Sequence, residues 1–219
     1  MEKTDVRYGA YIKILEEELK PAMGCTEPIA LAYAAAVARK VLGCVPERVA
    51  IGASGSIIKN VKSVIVPNTD HLKGIPAAAT AGIIAGDPDK ELEVIASVSK
   101  EQIEEMKKFL AQTRITVEHV DNGLVFEIVV RLFKGQDSSM VRIVNYHTNI
   151  VRIERNGEVL KDIPVGGEGD EGLTDRSLLN MESIWDFVNT VDVEDIKPVL
   201  KRQIDCNMAI AEEGMKHEY

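Results

Sequence analysis

The chain has 219 residues, of which 45% are hydrophobic and 28% are charged, and its formal net charge is -9 at pH 7. A chain of this length can bury a substantial core, and its acidic balance argues against a nucleic-acid surface, which needs clustered Lys and Arg. Its most apolar stretch, residues 28–38, is well short of the ~20 residues that span a bilayer, and no signal-type segment follows the charged first residues. We therefore expect a soluble, cytoplasmic protein that contacts neither nucleic acid nor membrane.

Two helices open the predicted fold. Residues 7–19 carry apolar side chains at helical spacing, and Pro21 closes this helix. Residues 28–42 are rich in alanine and apolar on most faces, and Gly43 supplies the stop signal. This composition predicts that the second helix lies in the centre of the fold, with its N-terminus held by packing.

The middle of the chain mixes short strands, polar loops and helices. Ser99 with Gln102 forms a capping-box pattern and predicts a helix over residues 99–112. Before it we predict, in order, a strand at 47–53, a small-residue loop at 54–60, a β-prone segment at 61–66 and a helix at 75–85.

From Arg114 the hydrophobic period changes to two. The strands predicted from this alternation form an antiparallel meander over 114–120, 124–134, 138–145 and 149–155. A loop at 166–172 and helices at about 177–189 and 193–213 follow. Helices on both sides of a strand block predict an α+β fold, with helices packed on a largely antiparallel sheet in a single compact domain spanning 1–219.

Cys25 follows a glycine and precedes a predicted helix start. If Thr26 is the N-cap, Glu27 and Pro28 fall in the first turn, where a carboxylate and a residue without an N–H are favoured. Helix N–H groups and the helix dipole would then stabilise the Cys25 thiolate, which can act as a base, a nucleophile or a metal ligand. The alternative is that Cys25 is a small buried hydrophobe at a helix entrance.

The three cysteines, Cys25, Cys44 and Cys206, are odd in number and widely spaced. This pattern does not describe a disulfide framework and fits a reducing compartment. We interpret Cys44, at a helix exit, and Cys206, in an apolar helical stripe, as buried structural residues. Because an iron–sulfur cluster is usually held by several thiolates, this chain alone cannot easily supply a complete cluster site.

Polar side chains also occur at two other junctions. Lys59 and Asn60 follow a strand and a glycine-containing turn, which can hold a carboxylate through N–H donors and charge, but the residues alone favour a polar turn with solvated side chains. His147 lies between two predicted strands. It is a candidate general base or substrate hydrogen-bond donor, or else a sheet-edge residue bonded to backbone.

Four ordered stretches of the chain resemble the L-cysteine desulfidase family, which is related to the iron–sulfur L-serine dehydratases. The first stretch, 20–36, begins Lys-Pro-Ala-Met-Gly-Cys-Thr-Glu-Pro, and the second, 54–76, contains Ile-Lys-Asn and Val-Pro-x-Thr. The third, 146–154, contains His-Thr-Asn-Ile-Val, and the fourth, 207–216, begins Asn-Met-Ala-Ile-Ala-Glu-Glu-Gly. Members of that family continue well beyond the last stretch. The chain therefore resembles the N-terminal half, and the missing C-terminal, cluster-binding half is its expected partner.

The resemblance implies β-elimination of sulfide from L-cysteine, with a [4Fe-4S] cluster in the complete enzyme acting as Lewis acid. The cluster ligands lie mainly in the missing half, so we expect no cluster on this chain alone and no activity. The resemblance implies that Cys25 is the catalytic base or a labile cluster ligand, and that His147 is a second catalytic residue. The substrate-binding positions it implies are Thr26, Lys59, Asn60, Thr69, Thr148 and Asn149.

Other functions fit the same residues. L-serine dehydratase performs the same elimination on L-serine with water leaving, and a non-catalytic amino-acid-binding or assembly module would bind ligand without turnover. A cysteine hydrolase using Cys25 and His147 is the weakest alternative, because neither an orienting residue nor an oxyanion loop can be named. An apolar surface left for the missing half would also favour a homo-oligomer.

Overall fold

The computed structural model describes residues 1–22, 24–165 and 174–217. Contacts within the chain define two units: Ala22–Gly167 contains the sheet, whereas Met1–Pro21 and Glu168–Tyr219 form a helical unit. The loop predicted at 166–172 lies outside the described residues.

Helices and strands alternate in blocks along the chain. The α-helices are α1 (Val6–Glu18), α2 (Thr26–Leu42), α3 (Gly55–Val61), α4 (Gly74–Ala85), α5 (Lys100–Gln112), α6 (Met181–Thr190) and α7 (Val193–Lys216). The strands are β1 (Arg48–Ala53), β2 (Arg114–His119), β3 (Glu127–Lys134), β4 (Asp137–Val144), β5 (Ile150–Arg155) and β6 (Glu158–Asp162). Short 3-10 turns lie at Pro88–Glu93 and Arg176–Leu178.

The strands form one sheet in the order β2-β1-β3-β4-β5-β6. All neighbouring strands are antiparallel except β2, which runs parallel to β1. The predicted α+β class, with helices on a largely antiparallel sheet, is confirmed. The predicted meander is wrong at its first strand, because β1 lies between β2 and β3. The apolar β1 is mostly buried and needs a neighbour on each side, whereas the largely exposed β2 is suited to an edge.

The core of the larger unit lies between the sheet and α2 with α4. As predicted, α2 is central: most of its residues are buried, and it packs on β3, β4 and β5. It ends at Gly43, whose φ of 86 is the left-handed conformation that glycine adopts readily. Where α2 meets α4, a Cβ added at Gly82 would lie 2.0 Å from the carbonyl oxygen of Ala32. The backbones therefore touch directly, and only small residues permit this approach.

The segment after β1 differs from its prediction. Residues 54–60 were expected to be a loop, but α3 occupies Gly55–Val61. The β-prone segment at 61–66 contributes only an isolated bridge between Ile65 and Lys73. Ile57 and Val61 are four residues apart and both buried, so a helical turn places both on the core face. By contrast, the helix predicted after Ser99 is confirmed with its capping box.

An aromatic cluster holds the helical unit together. The Phe187 ring packs edge-on against Tyr8 and Tyr11, with centroid separations of 5.6 and 5.2 Å. The Tyr8 hydroxyl donates to Asp195 at 2.7 Å, which ties α1 to the start of α7. The first helix and both C-terminal helices are present as predicted, although α6 begins later because Arg176–Leu178 forms a 3-10 turn.

The prediction that Cys44 and Cys206 are buried is wrong, since both are exposed. Cys44 follows the glycine that ends α2, and Cys206 lies in the part of α7 where every described residue is exposed. The segment around Cys206 is helical as its apolar pattern predicted, but its apolar side chains are exposed.

Candidate functional site

Cys25 lies at the N-terminus of α2, after a left-handed Gly24. The helix begins at Thr26, so Cys25 itself is the N-cap, and its side chain makes no capping hydrogen bond. The expectation that Thr26 is the N-cap was therefore wrong by one residue. Gly24 has φ +111, and a Cβ there would lie 3.5 Å from Cγ of Pro67. This turn brings the Cys25 thiol to the surface, where it is exposed.

The carboxylate of Glu27 connects the polar groups around Cys25. The Cys25 thiol donates to Oε2 of Glu27 at 3.0 Å, and Nδ2 of Asn60 donates to Oε1 at 3.2 Å. Thr26 Oγ1 donates to Oε2 at a longer 3.5 Å. Glu27 thus joins the start of α2 to the end of α3. From the sequence, Glu27 could belong to a pocket or to the helix cap, and the cap was preferred because it explains the residue by itself; its position two residues after Cys25 was an available signal for the pocket.

Partial desolvation and the neighbouring carboxylate keep the proton on the Cys25 sulfur. Burial and the hydrogen bond to Glu27 raise the pKa of the Cys25 thiol, and the N–H of Glu27 opposes them only in part. The hydrogen bond from Cys25, aided by Asn60 and by the charge interaction with His147, lowers the pKa of the Glu27 carboxyl. The direction for Cys25 is opposite to the thiolate stabilisation predicted from the helix dipole. The site therefore pairs a neutral thiol with an ionised carboxylate.

His147 is half-buried next to this pair. Its Nε2 is buried and has no hydrogen-bond partner among the described residues. The Phe126 ring packs edge-on against the imidazole, with ring centroids 4.7 Å apart. Burial lowers the pKa of His147, while the charge of Glu27 acts in the opposite direction. A neutral imidazole with an unused ring nitrogen therefore lies within the electrostatic reach of Glu27.

The other implied substrate-binding residues are less closely connected to this site. Thr69 is buried and donates to the carbonyl of Val66 at 2.7 Å, and Asn149 donates to the carbonyl of Val144 at 2.9 Å. Both side chains therefore stabilise their own loops. Lys59 is exposed in the last turn of α3, and Thr148 is half-buried before β5. No hydrogen bond between described residues joins Lys59, Thr69, Thr148 or Asn149 to Glu27, and their roles stay predictions.

The donors needed for a metal cluster do not come together in the described part of the chain. No group of three or more His, Cys, Asp or Glu side chains that could hold a metal ion occurs there. Cys25 supplies one thiol, Cys44 follows the other end of α2, and Cys206 belongs to the helical unit. The described residues therefore do not fit a complete [4Fe-4S] site by themselves. None of the described helices has both the length and the apolar character required to cross a bilayer.

Fold and site together define an α+β protein with a thiol–carboxylate pair at a helix N-terminus. The chain is similar to proteins named UPF0597 protein. It is 50% identical over 219 residues to the one from Desulfitobacterium hafniense, 46% over 212 residues to that of Lachnoclostridium phytofermentans and 42% over 214 residues to that of Treponema denticola.

These matches cover 100%, 97% and 97% of this chain and 51%, 51% and 50% of the respective relatives. The chain therefore spans about half the length of the curated relatives it matches. No protein-family model and no solved structure matches it. The names of the relatives state no reaction, ligand or partner.

Proposed function

We propose that this chain is the N-terminal half of a carbon–sulfur lyase that eliminates sulfide from L-cysteine. The observation that carries the proposal is the hydrogen-bonded set of Cys25, Glu27 and Asn60, with His147 beside it. A thiol, a carboxylate and an imidazole in one place are the groups that acid–base chemistry on an amino acid requires. The resemblance to the L-cysteine desulfidases supports the choice of reaction.

The reaction breaks two bonds of L-cysteine. A base removes the Cα proton, the electron pair forms the Cα–Cβ double bond, and the Cβ–S bond breaks to release sulfide. The resulting 2-aminoacrylate tautomerises to the imine, and water converts this to pyruvate and ammonia. When bound by the complete enzyme, the [4Fe-4S] cluster would supply a Lewis acid for the departing sulfur.

In this proposal Cys25 is the base, so it must first lose its own proton. The nearest acceptor is the Glu27 carboxylate, whose Oε2 lies 3.0 Å from the sulfur. Asn60 holds the other carboxylate oxygen and so keeps Glu27 facing Cys25. Nε2 of His147 is buried and has no hydrogen-bond partner among the described residues, so in this proposal a substrate group that enters the site would pair with it.

An anaerobic assay tests the proposal directly. This chain would be co-expressed with the segment of the Desulfitobacterium hafniense relative that lies outside the match, and sulfide and pyruvate would be measured from L-cysteine and, separately, from L-serine. We expect sulfide only when both segments and iron are present. Cys25→Ala should lower the rate by about 10²-fold or more, the usual contribution of a general base. Cys44→Ala, which removes another exposed thiol at a helix end, is the matched control and should leave the rate unchanged.

The other outcomes distinguish the alternatives. Pyruvate from L-serine without sulfide from L-cysteine would assign an L-serine dehydratase instead. Binding of either amino acid without turnover, in the presence of iron and both segments, would favour a binding or assembly module. Sulfide release by this chain alone at the rate of the co-expressed pair would overturn the split-site proposal.

A further inference from the structure

The second half of α7 packs against no other described element of the helical unit. The helix spans Val193–Lys216, yet Ile196 is its buried residue, and every residue from 201 to 217 is exposed. An isolated helical segment of this length is marginal in water, because most helical stability in proteins comes from packing an apolar face. This part of α7 therefore needs a surface to pack against.

Four of its apolar side chains form one narrow stripe, and Ile210, which is 72% exposed, lies outside it. Ile204, Met208, Ala211 and Met215 are spaced by four, three and four residues, and at ~100° per residue they lie within about 60° of one another. The exposed fractions are 57% for Ile204, 52% for Met208 and 89% for Met215. The spacing is that of the a and d positions of paired helices, which predicts a helical partner.

Some charged side chains of this segment are paired within the helix. Lys201 lies 2.5 Å from Asp205, and Glu213 lies 3.0 Å from His217. Such i,i+4 pairs on an exposed helix contribute little energy. The stripe itself carries no charged side chain, so the contact that it offers is apolar.

We propose that this stripe, the α7 stripe (Ile204, Met208, Ala211 and Met215), docks an amphipathic helix from the half of the longer relatives that this chain does not match. About half of each relative lies outside the match, which is enough chain to form a unit of its own with an apolar helix face. Laying one apolar helix face against another is a recurrent recognition mode. This inference rests on one part of the proposed function, namely that the other half of the longer protein is the partner of this chain.

Co-expression tests the docking without any activity measurement. Tagged wild-type chain and the unmatched segment of the Desulfitobacterium hafniense relative should elute as a one-to-one complex in size-exclusion chromatography with light scattering. The double variant Ile204→Glu/Met208→Glu places two carboxylates in the stripe and should reduce the recovered complex at least tenfold. The control, Ala209→Glu, changes a residue that is also exposed but lies on the other side of α7, and it should leave recovery unchanged.

The outcomes separate this inference from the proposed function. Absence of the wild-type complex, or equal recovery with the double variant, overturns the docking site. A homodimer of this chain that the double variant dissociates would show that a second copy covers the stripe, which also overturns it. A one-to-one complex that the double variant abolishes but that has no lyase activity would retain the docking site and remove the proposed function.

Discussion

One carboxylate oxygen of Glu27 accepts a hydrogen bond from the Cys25 thiol, and the other accepts one from the Asn60 amide. A carboxylate that accepts two hydrogen bonds is stabilised in its ionised form, and its charge disfavours a second anion on the adjacent sulfur. At neutral pH, Cys25 is therefore a thiol with an internal proton acceptor beside it.

This arrangement predicts the effect of Glu27→Gln on cysteine reactivity. The amide keeps the shape of the side chain but removes its charge, so the pKa of Cys25 falls and its thiolate fraction at neutral pH rises. Each unit of pKa is worth about tenfold in thiolate while the thiol is mostly protonated. We expect iodoacetamide labelling of Cys25, followed by peptide mass spectrometry, to become several-fold faster. Labelling of Cys44 in the same sample is the control, and unchanged or slower labelling of Cys25 would contradict the assignment.

The sequence analysis selected Cys25, Asn60 and His147. In the structure these three residues lie around Glu27, which the sequence analysis did not select. Glu27 was passed over because a local role, stabilising a helix N-terminus, explained it fully. The protonation state of Cys25 was wrongly predicted for the same reason. The helix dipole can be inferred from local sequence, whereas the desolvation that is the largest cause of the raised pKa arises only when the chain folds around Cys25, and the contact with Glu27 depends on which way that side chain turns.

At the scale of elements, the contact between α2 and α4 depends on one glycine. A Cβ at Gly82 would meet the backbone of Ala32, which cannot move aside as a side chain can. We predict that Gly82→Ala lowers the free energy of unfolding by about 3 kcal/mol, at the upper end of typical overpacking. Gly9→Ala, in α1 with nothing within 4 Å, should instead raise it by about 0.5–1 kcal/mol. Urea unfolding followed by far-UV circular dichroism measures both, and equal effects would contradict the close approach.

In the helical unit, two aromatic residues of α6 provide a second contrast. Phe187 is 6% exposed between two tyrosines, whereas Trp185 is 72% exposed. Phe187→Ala should destabilise this unit by about 3–5 kcal/mol, the usual cost of removing a buried phenyl group. Trp185→Ala should change stability by no more than about 0.5 kcal/mol. The measurement is thermal unfolding of both variants, and a larger loss for Trp185→Ala would show that the aromatic core is misplaced.

Local signals predicted the elements that local chemistry controls. Gly43 ends α2 and Ser99 begins α5 because their backbone or side-chain requirements concern only neighbouring residues. The position of β2 was not predictable in this way, since its parallel pairing with β1 joins segments separated by several helices. The same limit explains α3, whose helical form follows from burying Ile57 and Val61 against a core assembled elsewhere.

At the scale of the whole molecule, the described residues form two hydrophobic clusters, one in each unit. The cluster in the helical unit is much the smaller, and burial of apolar surface is the main source of stability. We therefore predict that urea unfolds the helical unit first. Trp185 is the single tryptophan and reports on that unit, whereas far-UV circular dichroism also reports on the sheet-containing unit. The fluorescence midpoint should lie at lower urea, and coincident transitions would mean that the chain unfolds as one cooperative body.

The position of β1 between β2 and β3 also constrains the order of events during synthesis. The strands from β3 to β6 are joined by short turns, and each can pair with its neighbour as soon as it is made. Strand β1 is translated before any of them, but both of its partners lie beyond α3, α4 and α5. The backbone of β1 therefore has no strand partner, and its apolar side chains, including Val49 and Ile51, lack their neighbours in the sheet, until the ribosome reaches β2 at Arg114. The nascent chain is most open to aggregation, and to capture by chaperones, during that interval.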